Sequence, residues 1–415
     1  MNKQNSYIAT GLGWGDEGKG SVIDALCRYS DIDYVVRYNG GSQAAHNVCL
    51  PDGRHHTFAQ FGSGSFVPGV ATILSHHMMV NPLSFMVERE VLHSKGIAMS
   101  TPAPDPRVYV DRRALVTTPY HMQLNRAREA ARGVARHGTT GMGISETVLD
   151  SLARPNDVLC CGDLNDDFRA KLEATRDYLY GDMERLGATD QFQRIDIDYV
   201  IDQYKHFRHM VSIVTTDDIK VLLQTAKGVA FEGAQGILLD QDYGFHPHTT
   251  WSTTTAHNAH GLVHDYELEE PCKLGITRTY HTRHGEGPFP TENFLCDMPE
   301  PHNGDDSFPG QFRTGYLDMS LLRYAIDCNQ GIDGLVVNHA DYPQTQYCVD
   351  NGIRMYHTPR NLREQEGMTR QAWHSAPASG YYGTPDNWPE AIAEMLEVKL
   401  FMVGHGPTHE DKGLK

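Results

Sequence analysis

Residues 6–29 constrain the fold more than any other stretch of the chain. Ser6–Thr10 (SYIAT) is a short apolar run, residues 11–21 read GLGWGDEGKGS, and Gly20–Tyr29 carries apolar residues at helical spacing. A strand that feeds a glycine loop and then a helix opens a parallel α/β unit whose loop amides and helix N-terminus cradle an anion. The loop fits G-x-G-x-x-G from Gly13 to Gly18 and G-x-x-x-x-G-K from Gly13 to Lys19. A dinucleotide site also wants an acidic residue at the end of the next strand; the strand expected over Asp33–Arg37 runs into Tyr38 and Asn39 instead. The P-loop reading keeps its lysine, but Gly20 stands where a magnesium-ligating Ser or Thr belongs.

Asp16 and Glu17 interrupt this loop with negative charge. A carboxylate there repels phosphate unless a metal bridges the two or the carboxylate works as a base. Asp16, the oxygen donor nearest the missing hydroxyl, is therefore the candidate ligand for Mg²⁺ or the candidate base. For Glu17 the sequence offers no role beyond its backbone N–H.

Further apolar runs, Gly228–Phe231 and Gly334–Val337, each end in polar residues, so an α/β sheet is expected with its strand C-termini at one crevice. Helices are expected over 121–132 and 166–180, and one large domain with insertions over residues 1–415. Pro-rich stretches at 101–106 and 298–302 punctuate the chain, and the second leads into NGDDSFPGQ, a candidate mobile loop. A net charge of −17 speaks against nucleic-acid or anionic-membrane partners. With no long apolar run, no signal sequence and eight cysteines without a C-x-x-C pair, the expected location is the cytoplasm.

Three polar loops offer hydroxyls and amides suited to phosphates and bases: His137–Gly141 (HGTTG), a glycine turn with Gln235 in FEGAQG, and Thr249–Thr255. Asn338-His339-Ala340-Asp341 resembles the N-K-x-D signature, in which the aspartate accepts from N1 and the 2-amino group of guanine, with His339 in the lysine's place. His257, His260 and His264 share a helix face at i, i+3, i+7, and are read as surface residues rather than metal ligands.

Taken in order, WGDEGKGS, RYNGGSQAAHNV, HGTTGMGI, FEGAQGILLDQDYG, TRHGEGPFPTE, RTGYLD and GHGP resemble the adenylosuccinate synthetase family from Gly11 to Pro407. That resemblance implies an α/β fold, with a large, mostly parallel central sheet, flanking helices and long ligand-binding loops, working as a homodimer. It implies that GTP and Mg²⁺ activate the 6-oxygen of IMP by phosphorylation and that the amino group of aspartate then displaces phosphate. Asp16 is implied as base and metal ligand, His46 as the acid or donor in phosphoryl transfer, and the Ala45 carbonyl as the second protein ligand of Mg²⁺. Gly15, Glu17, Gly18, Lys19, Gly20 and Ser21 match the triphosphate cradle. Gln43, Ala44, Thr140, Gln235 and Thr250 match the purine-nucleotide site, with Arg154 crossing to the partner subunit's nucleotide phosphate. Asn338, His339, Asp341 and Gly406 match the guanine site.

The chain departs from the family pattern at several positions. His339 replaces a lysine and Gly404-His405 a Ser-Thr pair, so ATP stays open as the phosphoryl donor. Gln43 replaces an asparagine, Ser145-Glu146 a Gly-Pro, and Gly310-Gln-Phe-Arg313 a run of arginines that holds aspartate. Arg313 alone stays in register as the amino-acid ligand. Either Arg278, Arg283 or Arg313 takes over aspartate, or the amine differs. Phage-type relatives make 2-aminoadenylosuccinate from (d)GMP and form the second reading; a nucleotide-binding protein without ligase activity is the alternative from another class.

Overall fold

The computed structural model describes residues 5–97, 107–165, 167–191, 195–293, 310–342, 346–349, 356–375 and 381–415. Most of the expected loop over 298–311 and the Pro-rich stretch 101–106 lie outside them.

Near-continuous apolar runs along short strands build a sheet buried on both faces. Ala9, Val35 and Ala230 join one core cluster with Val22 and Leu26 of the helix Lys19–Tyr29. Their neighbours Ile8, Val36 and Val229 join the opposite cluster with Ile219 and Leu223 of Thr216–Gln224 and Leu262 of His257–Asp265. Side chains of period two thus serve two layers of helices.

Among the described residues, ten strands form the main sheet. In spatial order they are Lys412–Leu414, Leu400–Gly404, Gly334–Asn338, Cys272–Arg278, Asn5–Gly11, Gly228–Gly236, Tyr34–Arg37, Ala71–Leu74, Val108–Asp111 and Ser212–Val214. All neighbours pair in parallel except the edge strand Lys412–Leu414, which is antiparallel to Leu400–Gly404. The C-terminal ends of Asn5–Gly11, Tyr34–Arg37, Gly228–Gly236, Cys272–Arg278 and Gly334–Asn338 therefore share one side of the sheet. Tyr280–His284 pairs antiparallel with Phe312–Asp318 in a separate small sheet.

The expected helices are present with shifted ends, at Pro119–Arg132 behind a Thr118 cap and at Arg169–Arg185. One sequence reading needs correction. The strand expected to stop at Phe231 continues to Gly236, with a break in its register against Asn5–Gly11 and a left-handed residue at Gln235 (φ 64°), so the glycine turn of FEGAQG is a bulge inside the strand. Asn39 makes this possible: its side chain accepts from Ala234 N at 2.7 Å and donates to Ala234 O at 3.1 Å, replacing the ladder partners that the short strand Tyr34–Arg37 no longer supplies. No helix among the described residues is long and apolar enough to cross a membrane.

Candidate functional site

The loop after Gly11 is shaped by its own acid. The Glu17 carboxylate accepts from Gly13 N at 3.0 Å and Gly15 N at 2.8 Å, and pairs with Lys19 Nζ at 2.6 Å, both side chains buried. Asn338 Nδ2 donates to the Glu17 carbonyl at 2.8 Å and ties the N-H-A-D turn to the loop. Glu17 thus has the role that the sequence did not reveal. The helix Lys19–Tyr29 starts at Gly18, with φ 86° and no side-chain cap, so its first-turn amides remain suited to an anion. A Cβ at Gly18 would stand 2.7 Å from Asn338 Nδ2, and one at Gly20 2.9 Å from His46 Cβ. Glu17→Ala leaves Lys19 buried without its counter-charge and is expected to lower unfolding free energy by about 3 kcal/mol or more. Urea denaturation measures this, and an unchanged midpoint would show that the pair does not hold the loop.

Asp16 sits at φ 61°, its carboxylate 2.8 Å from His284 Nε2 and its carbonyl accepting from Arg278 Nε. Burial raises its pKa, but the His284 hydrogen bond and the positive charges of His284, Arg278 and Lys19 outweigh burial and hold it at about 2. The carboxylate is ionised at neutral pH.

His46 Nδ1 lies 2.5 Å from Glu232 Oε1. Glu232 also accepts from Ser63 N at 3.0 Å and from the Ser63 hydroxyl, and stands 4.0 Å from Arg37 Nε. Burial raises the Glu232 pKa, yet Arg37, His46 and Ser63 bring it down to about 2. An ionised carboxylate only accepts, so Nδ1 carries the proton. Burial lowers the His46 pKa and its Glu232 partner pulls it back up. Glu232 belongs to the FEGAQG motif, but nothing in the sequence brings it to His46, 186 residues away.

A cavity of about 560 Å³ joins these groups. On its wall Gly15, Asp16, Gly18, Lys19, Gly20 and Ser21 meet Gln43, Ala45 and His46. Thr140, Gln235 and Thr250 line it too, as do Asn338, His339, Asp341 and Gly406. Gln43 Oε1 and Nε2 and Asn338 Oδ1 are buried there without hydrogen-bond partners among the described residues. Buried polar atoms left unpaired are costly, and at a cavity wall they mark where ligand groups complete the set.

Other expected residues lie elsewhere. Glu17 is beneath the loop and Ala44 is buried off the wall. Arg154 is held within its own chain, its Nε donating to Asp150 at 2.7 Å and its guanidinium 4.4 Å over Tyr178. Arg313 is off the wall, paired with Glu292 at 2.8 Å and donating to Gly287 O at 2.9 Å. Arg278 and Arg283 do border the cavity, although Arg283 donates to the carbonyls of Glu286 and Pro288.

The Ser145-Glu146 departure builds structure. Glu146 pairs with Arg128, which reaches Asp182 at 2.6 Å, and Ser145 accepts from Asn125 Nδ2 at 3.2 Å. Glu129, not foreseen, accepts from the amides of Gly138 at 3.0 Å and Thr139 at 3.2 Å and shapes the loop that carries Thr140. His264 is largely exposed and His260 pairs with Glu270 at 2.6 Å; no metal-ligating cluster of three occurs among the described residues.

The sequence model of the adenylosuccinate synthetase family matches residues 8–411. The adenylosuccinate synthetase of Halothermothrix orenii is 33% identical over 343 residues, 80% of this chain and 77% of that protein. That of Baumannia cicadellinicola is 32% identical over 445 residues, covering 98% and 97%. Among solved structures, fully ligated adenylosuccinate synthetase from Plasmodium falciparum aligns with a TM-score of 0.77 at 21% identity, covering 99% of this chain and 100% of that one. The succinoaminodeoxyadenylate synthetase (PurZ) of cyanophage S-2L, bound to dGMP and to dATP as an energy donor, aligns with a TM-score of 0.63 at 18% identity, covering 100% and 96%. These two likenesses concern the fold.

Proposed function

The chain belongs to the adenylosuccinate synthetase family of C–N bond-forming ligases, and on that premise we propose that it uses GTP and Mg²⁺ to couple IMP with aspartate. The observation that carries this reading is the presence of an ionised Asp16 and of His46, backed by the buried Glu232, on the wall of one phosphate-loop cavity.

The 6-oxygen of an oxopurine is a poor leaving group. It becomes a good one when N1 loses its proton and O6 receives a phosphoryl group. Asp16, ionised and held in a strained turn, accepts the N1 proton after exchanging His284 for the purine. His46, its Nδ1 fixed on Glu232, donates to the phosphoryl group in transfer; an incoming phosphate opposes the effect of burial and favours the doubly protonated ring. Lys19 and the first-turn amides balance the phosphate charge. Asp16 and the Ala45 carbonyl suit Mg²⁺, which takes one or two carboxylates and completes its shell with water and phosphate oxygens, and when bound would neutralise charge between the phosphates. Gln43, Thr140, Gln235 and Thr250 hold the purine nucleotide. Arg154 is assigned to the partner's nucleotide phosphate in a homodimer, a role for which it must leave Asp150.

Phosphate release tests the reading, with IMP, GMP or dGMP offered against aspartate or other amino acids and GTP or ATP. The expected result is stoichiometric release that needs IMP, aspartate and GTP together. Release that follows GMP or dGMP would move the purine assignment, and a different amine would move the acceptor. No purine-dependent release with any combination would overturn the ligase.

A further inference from the structure

The edge strand Lys412–Leu414 places its first residue directly opposite Gly404. Directly opposed residues in an antiparallel pair share a face, and here the glycine leaves the space that the lysine side chain crosses. A Cβ at position 404 would stand 2.7 Å from Lys412 Nζ and 2.4 Å from Asn338 Oδ1, so no larger residue fits while the lysine keeps this course. The ammonium ends 2.8 Å from the Gly406 carbonyl, on the cavity wall that also holds Asp341 and His339.

This ammonium is buried, at 7% exposure, and among the described residues one of its three donor hydrogens meets a neutral carbonyl. Lysine is seldom buried without a partner that repays its desolvation. Burial pushes its pKa down to about 8, opposed by the charges of Asp411 and Asp341. The Asp411 carboxylate is already engaged by the amide and hydroxyl of Thr408. His339 brings no competing charge. Burial, then the charges of Arg278 and Lys412, hold its imidazole neutral, and its ring stacks on Tyr342 with centroids 5.5 Å apart.

We propose that Lys412 is the base-reading cation of the triphosphate site, donating to O6 of guanine while Asp341 accepts from N1 and the 2-amino group, with Gly404 making room for it. The assignment rests on the reading of this cavity as a GTP site, and it restores from the last strand a positive charge that the N-H-A-D turn lacks. Guanine offers an acceptor beside two donors. Adenine offers a donor at C6 and an acceptor at N1, so the ammonium and the carboxylate would each face the wrong group.

Calorimetric titration of the full chain with GTP, ITP or ATP in the presence of Mg²⁺ tests this in the wild type, Lys412→Met, Lys412→Arg and Gly404→Ser. ITP keeps O6 and N1–H without the 2-amino group and so isolates the lysine contact. The wild type is expected to bind GTP and ITP more tightly than ATP. Lys412→Met is expected to weaken GTP and ITP by about 10–100-fold and leave ATP unchanged. Gly404→Ser should do the same with the lysine still present, and Lys412→Arg should retain part of the preference. Equal weakening of all three nucleotides in Lys412→Met, or no change, overturns the assignment. A wild type that binds none of them overturns both this and the triphosphate reading. A guanine preference that depends on Lys412 in a protein without purine-dependent phosphate release supports the assignment and sinks only the ligase.

Discussion

Asn in place of Asp16 is expected to reduce kcat by about 10²–10⁴-fold, the usual contribution of a positioned general base. Asparagine has nearly the same shape, tolerates the φ of 61° found at this position, and can still meet His284, so the change removes the charge and the proton acceptor more than the architecture. Because the Asp16 pKa is held at about 2, the wild-type carboxylate of the free protein is ionised throughout the neutral range. Single-turnover phosphate release with GTP and IMP reads the phosphorylation step directly. A variant that kept a tenth or more of the wild-type rate would remove Asp16 from the chemistry. As Asp16 is also the proposed metal ligand, the variant should need more Mg²⁺ for half-maximal rate.

Glu232→Gln is expected to cost both stability and turnover. Arg37 is fully buried, its Nε and Nη2 have no hydrogen-bond partner among the described residues, and the Glu232 carboxylate 4.0 Å away is the charge that offsets it. Breaking a buried pair on one side typically costs about 3–5 kcal/mol. The carboxylate also holds the proton of His46 on Nδ1; an amide could equally donate to that nitrogen and reverse the ring, so kcat should fall by about 10–100-fold. The pH dependence has a definite sign. Glu232 is lowered from 4.5 to about 2 on folding, so its contribution is present above the unfolded value and is lost as pH falls from about 4.5 towards 2. Urea denaturation at pH 7 and across that acidic window checks both parts. Equal stability of variant and wild type at pH 7, or an identical acid limb in the two, would show that Arg37 does not rely on this charge.

The central fold was legible wherever a local rule acted alone. Short apolar runs marked the strands that carry Ile8, Val36 and Val229, and the glycine loop announced the helix behind it. Short edge strands such as Ser212–Val214 carry too few residues for any period to register. The length of Gly228–Gly236 was hidden because Asn39, distant in sequence, supplies the hydrogen bonds that hold Ala234 beyond the last ladder pair with Tyr34–Arg37.

Within the site, the phosphate loop, Asp16, His46 and Gln235 were visible as motif positions, and the fold brings them to one cavity. The partners that set their protonation were not visible. Glu232 meets His46, and His284 meets Asp16, through contacts that no spacing rule encodes. Lys412 was missed for the same reason, since its significance depends on a glycine across a strand pair. Arg313, in contrast, keeps its register with the family while its guanidinium is taken by Glu292, and matching position did not place it at the cavity.

The two acid-shaped loops carry a thermodynamic consequence. Glu17 gathers the amides of Gly13 and Gly15, and Glu129 those of Gly138 and Thr139, so each loop takes its form from a carboxylate of the chain itself. Neither loop has to be ordered by an arriving phosphate. Affinity for substrate is then not consumed in restricting the backbone and remains available for the transition state.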